Sequence, residues 1–221
     1  MNSAGIIADP AGSNECLLYE FMPYERKQKM KDKIFNKLKR LFDIVFSLLI
    51  IVPFMPVWLV IALIIKLDSK GPVIFRQIRV GLDGRMFQMY KFRTMVKNAH
   101  KIGPLLTEKD DPRRTMIGKF LRKTSIDEIP NFINVLKGEM SVIGPRPDVP
   151  DIVCHYDKWQ KKVLGVKPGI TGFSQVLGRQ EIQIETKLRY DRYYVKKMNV
   201  LFDIWILFRT IFVVLGGEGA R

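Results

Sequence analysis

The chain is short of the side chains that most often carry soft-metal and nucleophilic chemistry. Among its 221 residues, two are cysteine and two are histidine. Cys16 and Cys154 are far apart in sequence, which rules out a disulfide framework, and too few soft ligands remain for a Cys/His zinc site. A serine or cysteine nucleophile would have only His100 and His155 as imidazole bases. Neither a G-x-x-x-x-G-K-[ST] loop nor a G-x-G-x-x-G turn occurs, so the common nucleotide-binding loops are absent. Acidic residues are scarce as well. Asp+Glu number 22 against Lys+Arg 37, a formal net charge of +15, and such a balance favours anionic partners. The mean hydropathy is nevertheless close to zero, although 27% of the residues are charged. A very apolar segment must be averaged with a very basic remainder.

That segment runs from 44 to 65 without a charged side chain. As a straight helix it would be roughly 33 Å long, enough to cross a hydrocarbon core. It starts too late, is too long and lacks the small-residue cleavage site of a signal peptide. Its flanks are both basic. Between Arg26 and Arg40, the residues Arg26, Lys27, Lys29, Lys31, Lys33, Lys37, Lys39 and Arg40 stand against one acid, Asp32, and Lys66, Lys70, Arg76, Arg79, Arg85, Lys91, Arg93 and Lys97 follow the segment. A simple span keeps its positive charge on one side. Pro53 and Pro56 near the middle remove backbone donors and favour a kink. These features predict a helix that enters the bilayer, bends and returns to the same face; the alternative is an ordinary kinked span.

The remainder reads as α+β, mostly helical with a small β-hairpin. Residues 1–35 are expected to form a mobile or loosely attached leader, 36–67 the basic helix and re-entrant membrane helix, and 68–221 the remaining domain. Strands are expected over 73–80 and 85–95, joined by Gly81-Leu82-Asp83-Gly84. A loop is expected over 98–118, and helices over 151–163, 181–198 and 200–215. The last is apolar enough to be either a core helix or an amphipathic helix lying in the membrane interface.

The densest polar constellation is Leu121-Arg122-Lys123-Thr124-Ser125-Ile126-Asp127-Glu128-Ile129-Pro130. Ile129, Phe132, Ile133 and Leu136 follow helical spacing, Gly138 provides a stop, and Pro130 belongs in the first turn, which puts Asp127 at or beside the N-cap. Asp127 could simply cap the helix, or Ser125 and Glu128 could form a capping box. The same geometry suits chemistry: one carboxylate attacks phosphorus while its neighbour holds a Mg²⁺. Arg122 stands five positions upstream. In Gly144-Pro145-Arg146-Pro147 the prolines stiffen the backbone that presents Arg146, which suits a bidentate phosphate contact as well as the plain end of a domain.

Six motifs in order carry a resemblance: Lys39-Arg40-Leu41-Phe42-Asp43, Gly71-Pro72-Val73-Ile74-Phe75-Arg76-Gln77, Tyr90-Lys91-Phe92-Arg93-Thr94-Met95, Thr124-Ser125-Ile126-Asp127-Glu128-Ile129-Pro130, Gly144-Pro145-Arg146-Pro147 and Lys167-Pro168-Gly169-Ile170-Thr171-Gly172. From about residue 36 onward the chain resembles the bacterial sugar transferases, the monotopic phosphoglycosyl transferases. The resemblance implies transfer of a sugar 1-phosphate from a UDP-sugar to a polyprenyl phosphate such as undecaprenyl phosphate. Asp127 would be the nucleophile that forms a covalent phosphosugar, Glu128 its partner in an acidic dyad, and Mg²⁺ would sit at both. Arg122, Arg146 and Arg179 would bind anions, and Lys91 and Asp191 would be polar groups near the site. It further implies a bacterial inner-membrane protein with a cytoplasmic catalytic face. Its partners would be membrane lipid and downstream glycosyltransferases, without nucleic acid, and a homodimer stays open. Met55-Pro56 stands where the family often has Ser-Pro, Lys70 replaces a common proline, and Gln180 follows Arg179 where Asn is frequent. A membrane-attached UDP-sugar pyrophosphate hydrolase and a non-catalytic basic adaptor are the alternatives.

Overall fold

In a computed structural model of the chain, residues 30–99, 111–178 and 183–216 are described, with side chains from 34 onward. The expected leader therefore lies almost wholly outside the described residues, as do Arg179 and Gln180.

Helix α1 (Met30–Asp68) is continuous and carries Pro53 and Pro56 in its interior. Only 6% of the residues in its most apolar window are buried, so it is not the core helix of a water-soluble domain; apolar surface left in water costs about 25 cal/mol per Å². Both of its ends are tied to one globular body. Near the start, Arg40 donates through Nη1 and Nη2 to the carbonyls of Val135 and Leu136 at 2.5 and 2.7 Å. Near the end, Arg93 Nη2 donates to the carbonyls of Ile65 at 3.3 Å and Ser69 at 2.6 Å, closing the helix C-terminus. Phe46, Ile50 and Ile51 pack against the cluster around Phe132, Val135, Val142 and Ile206. Trp58, Ile61 and Ile65 pack with Phe92 and Leu121. A helix whose two ends hold the same domain brings both to the same side of a membrane, as a re-entrant anchor must. The exposed apolar outer side marks membrane association.

Strands β1 (Ile74–Val80) and β2 (Met86–Phe92) form the expected antiparallel hairpin, Ile74 opposite Phe92 and Val80 opposite Met86. The turn needs Asp83 at φ 54° and Gly84 at φ 77°, which Asp and Gly tolerate. β2 ends before the expected 95 because Arg93 turns away to cap α1. Next comes α2 (Met116–Lys123), partly inside the segment expected to be loop; Thr115 Oγ1 accepts the Gly118 N–H at 3.0 Å as its N-cap. A Cβ at Gly118 would lie 2.0 Å from the Thr94 carbonyl oxygen, so only glycine permits this approach.

Helix α3 (Asn131–Lys137) ends at Gly138 with φ 83°. Its buried face differs from the expected one. Phe132, Val135 and Asn134 are buried whereas Ile133 is exposed, because Asn134 turns inward to accept the Tyr90 N–H and donate to the Gln88 carbonyl. β3 (Ser141–Ile143) pairs in parallel with β4 (Gly169–Thr171), a second sheet that the sequence reading omitted. The helix expected over 151–163 is interrupted. α4 (Pro150–Val153) stops early, and a 3-10 stretch follows at Gln160–Gly165. Between them Asp157 Oδ1 accepts the N–H groups of Trp159 and Gln160, a side-chain turn that competes with helix.

Helices α5 (Phe173–Gly178), α6 (Ile184–Lys197) and α7 (Val200–Leu215) complete the fold. α7 packs Asp203 and Ile206 inward and leaves Leu201, Phe208, Phe212 and Leu215 exposed, so it is amphipathic rather than a core helix. The architecture is α+β, mostly helical, with two small sheets.

Candidate active site

Between α2 and α3 the chain reverses at Ser125, whose φ of 58° is left-handed, and then makes a 3-10 turn over Ile126–Glu128. Asp127 is not the N-cap of α3, because Pro130 occupies that position; the Ser125 side chain caps nothing either, so no capping box forms. Ile126 and Ile129, on either side of the acidic pair, pack into the core beside Phe92 and Leu121. The pair is therefore held by apolar anchors rather than by capping bonds.

The two carboxylates differ sharply. Glu128 Oε1 accepts from Lys91 Nζ at 2.8 Å and from Arg146 Nη2 at 2.6 Å, while its Oε2 accepts from Arg146 Nη1 at 3.2 Å. Arg146 thus engages it in fork geometry. The Asp127 side chain is buried at 7% exposure, and none of the hydrogen bonds among the described residues engages its carboxylate. Burial pushes Asp127 up to about 6, and the Glu128 charge adds to that against Lys91, Arg122 and Arg146. For Glu128 burial acts upward too, but Arg146 and Lys91 outweigh it and hold the group well below the ordinary carboxylate range. Two adjacent carboxyls are separated in role by their surroundings.

The cations come from separate elements. Lys91 lies on β2 in register with Phe87 and Met89, whose alternation faces the core, and its buried ammonium is pushed down. Arg122 projects from α2 and donates through Nε to Thr94 Oγ1 at 2.9 Å; burial lowers it, while the charge of Asp127 acts to raise it. Arg79 on β1 is pushed down to about 10 by burial and by the neighbouring Arg146. Cations outnumber carboxylates here, and such an excess around a buried acidic pair favours added negative charge.

The structure brings Asp127, Glu128, Lys91, Arg122 and Arg146 together. Asp191 has a different setting. On α6 its Oδ1 accepts from Ser174 Oγ at 2.7 Å, and its Oδ2 is buried without a partner. It lines a cavity of about 20 Å³ with Arg146, Asp148 and Tyr156, room for a single water. Burial pushes it up to about 6. Arg179 lies outside the described residues. The sequence gives no site role to Arg79, Thr94, Asp148 or Lys187. For Arg79 a signal existed, an arginine near the inner end of a strand leading to a Gly turn.

The hard oxygen donors of Asp127 and Glu128 suit Mg²⁺, which commonly takes one or two carboxylates and completes its shell with waters and substrate phosphates. No group of three His, Cys, Asp or Glu surrounds them among the described residues, so the pair is a partial shell and not an all-protein cage.

An exposed apolar helix tied at both ends to a domain that buries an acidic pair among cations defines a membrane-associated protein. The sequence profile of the bacterial sugar transferase family matches residues 34–217. The chain belongs to that family. It is 43% identical over 185 residues to a UDP-glucose:undecaprenyl-phosphate glucose-1-phosphate transferase of Klebsiella pneumoniae, covering 79% of this chain and 39% of the relative. It is 40% identical over 195 residues to a UDP-N-acetylgalactosamine-undecaprenyl-phosphate N-acetylgalactosaminephosphotransferase of Aeromonas hydrophila, 85% of this chain and 46% of the relative. The exopolysaccharide production protein ExoY of Sinorhizobium fredii is 34% identical over 197 residues, 82% of this chain and 87% of the relative. The chain thus spans less than half the length of the first two.

Proposed function

We propose that the chain transfers a sugar 1-phosphate from a UDP-sugar to undecaprenyl phosphate through a covalent intermediate on Asp127. The observation that carries this reading is the Asp127 carboxylate, which none of the hydrogen bonds among the described residues engages, beside a Glu128 held in place by Lys91 and Arg146. A carboxylate tied into hydrogen bonds is a poor nucleophile, and this one is left free. In the first step an Asp127 oxygen attacks the sugar-bearing phosphorus, the bond to the bridging diphosphate oxygen breaks, and UMP leaves with that oxygen. In the second step a phosphate oxygen of the lipid attacks the same phosphorus, releasing Asp127 and forming an undecaprenyl diphosphate sugar. Arg122 and Arg146 offer guanidinium groups to the phosphate oxygens, and Lys91 keeps Glu128 ionised in place. Mg²⁺, held by Asp127 and Glu128, would offset charge on the donor diphosphate.

The anchor suits a reaction between a water-soluble donor and a lipid, since the pair can meet only at headgroup height. Basic flanks on both sides of α1 favour the cytoplasmic face of the bacterial inner membrane. The product is a substrate for glycosyltransferases that extend lipid-linked glycans. Relatives are named for glucose, N-acetylgalactosamine and galactose, so the donor class proposed is the UDP-hexoses. Incubation with labelled UDP-sugars and undecaprenyl phosphate tests the reading: UMP release with label in the lipid diphosphate is expected. Label in free sugar phosphate would instead indicate a pyrophosphate hydrolase. Salt-sensitive RNA binding without UMP release would indicate an adaptor.

A further inference from the structure

Arg146 reaches Glu128 from a loop that carries no regular secondary structure. Proline stiffens this backbone but leaves its carbonyls seeking partners. Every carbonyl from Pro145 to Asp148 finds one. Pro145 accepts from the Gly169 N–H at 2.8 Å, and Asp148 accepts from the Val80 N–H at 3.0 Å. The two between them accept from side chains. Lys187 Nζ donates to the Arg146 carbonyl at 3.2 Å, and Arg79 Nη1 donates to the Pro147 carbonyl at 3.0 Å.

Both donors are themselves fixed. Lys187 pairs with Asp148, which also accepts from the Tyr156 hydroxyl. Arg79 Nη2 donates to Gln77 Oε1 at 2.7 Å, and its Nε is buried without a partner. Neutral donors could close two loop carbonyls at less cost. Placing two more cations beside Arg146 is unfavourable, and Arg79 and Arg146 repel each other. That cost is intelligible if the guanidinium must be aimed to within a fraction of an ångström.

We propose that Lys187 and Arg79 are positioning residues, which clamp the Arg146 and Pro147 carbonyls and so hold the Arg146 guanidinium on Glu128. The inference rests on the transfer centre at Asp127 and Glu128 proposed above. It assigns the loop's placement to α6 and β1, elements from which no hydrogen bond among the described residues reaches either carboxylate of the acidic pair.

The test is a double-mutant cycle on the full chain in nanodiscs, read as UMP release with undecaprenyl phosphate. Lys187→Met is expected to lower kcat by about tenfold to a hundredfold, the scale of a small misplacement near reacting atoms, with Lys187→Arg recovering most of it. In an Arg146→Lys background the same Lys187→Met change should cost no more than about threefold, because residues acting through one another are not additive. Wild-type turnover by Lys187→Met, or an undiminished loss in the Arg146→Lys background, overturns the proposal. Should Lys187→Met not fold, Arg79→Lys takes its place in the same cycle. Amide exchange supplies a readout independent of activity. Exchange of the Val80 and Gly169 amides, which donate to the Asp148 and Pro145 carbonyls, should quicken in the variant while exchange over 131–137 stays unchanged; unchanged exchange at Val80 and Gly169 also overturns the clamp. If wild-type protein releases no UMP from any UDP-sugar, the transfer reading fails on its own, and the exchange result still decides the clamp.

Discussion

Two buried charged clusters in this molecule are built on opposite plans. At the foot of α1, Asp43 Oδ1 accepts from Ser141 Oγ at 3.0 Å and from the Val142 N–H at 2.9 Å. Nearby Asp203 takes Lys39 Nζ at 2.5 Å and the Tyr194 hydroxyl at 2.8 Å. Each acid there has its partners. At the acidic turn, Glu128 is held by Lys91 and Arg146, Asp127 takes none of the hydrogen bonds among the described residues, and cations are in excess. Satisfied buried polar groups rigidify, whereas an unsatisfied one is costly unless it has another use. The first cluster moors the membrane helix to the domain. The second keeps a carboxylate and positive charge in reserve for a substrate.

The sharpest way to break this contrast is to neutralise each acid in turn. Asp127→Asn should lower transfer by at least about a thousandfold, the loss expected when a nucleophile is removed, while the melting temperature holds or rises. The sign of the stability change follows from its raised value. A carboxyl pushed up to about 6 favours the fold fully below the ordinary value of 3.8 and loses that contribution as pH climbs through 6. At neutral pH the ionised Asp127 is thus a burden that Asn removes. A clear drop in melting temperature would place Asp127 with the mooring acids.

Glu128→Gln should reduce turnover by about a hundredfold, the scale of losing one preorganised electrostatic group, measured by UMP release. The rate of the native protein should fall about tenfold per pH unit below 6, where Asp127 takes up its proton; a flat profile from pH 5 to 8 would refute the ionised nucleophile. Asp43→Ala should act on stability first. Leaving Ser141 and Val142 donors unpaired should cost about 1–3 kcal/mol each, seen as a lower thermal midpoint in detergent. Smallest is Thr94→Val, which removes the bond to Arg122 Nε and should cost about fivefold in turnover, near 1 kcal/mol, with no change in midpoint.

Much of this was legible in the residues. The apolar run with basic flanks announced α1, the Gly81-Leu82-Asp83-Gly84 turn announced the hairpin, and the apolar stretch in the chain's last quarter announced α7, whose observed bounds match the expected 200–215. The acidic pair and its cations were legible as motifs. What stayed hidden depended on tertiary partners. β3 and β4 are three residues each, too short for a period of two to register. The left-handed Ser125 that shifts Asp127 out of a capping role leaves no mark in composition. The inward turn of Asn134, which exposes Ile133, depends on β2 carbonyl and amide groups distant in sequence. Lys187 sits 41 positions from the Arg146 carbonyl it bonds, and no local pattern could assign it there.

The most direct test of the central claim is to mix the protein with a UDP-sugar and no lipid acceptor, then weigh the peptide spanning 126–128. The account predicts one sugar phosphate on Asp127, formed with one UMP and lost when undecaprenyl phosphate is added. Unmodified peptide from protein that still completes transfer would show that the sugar phosphate passes directly from donor to lipid.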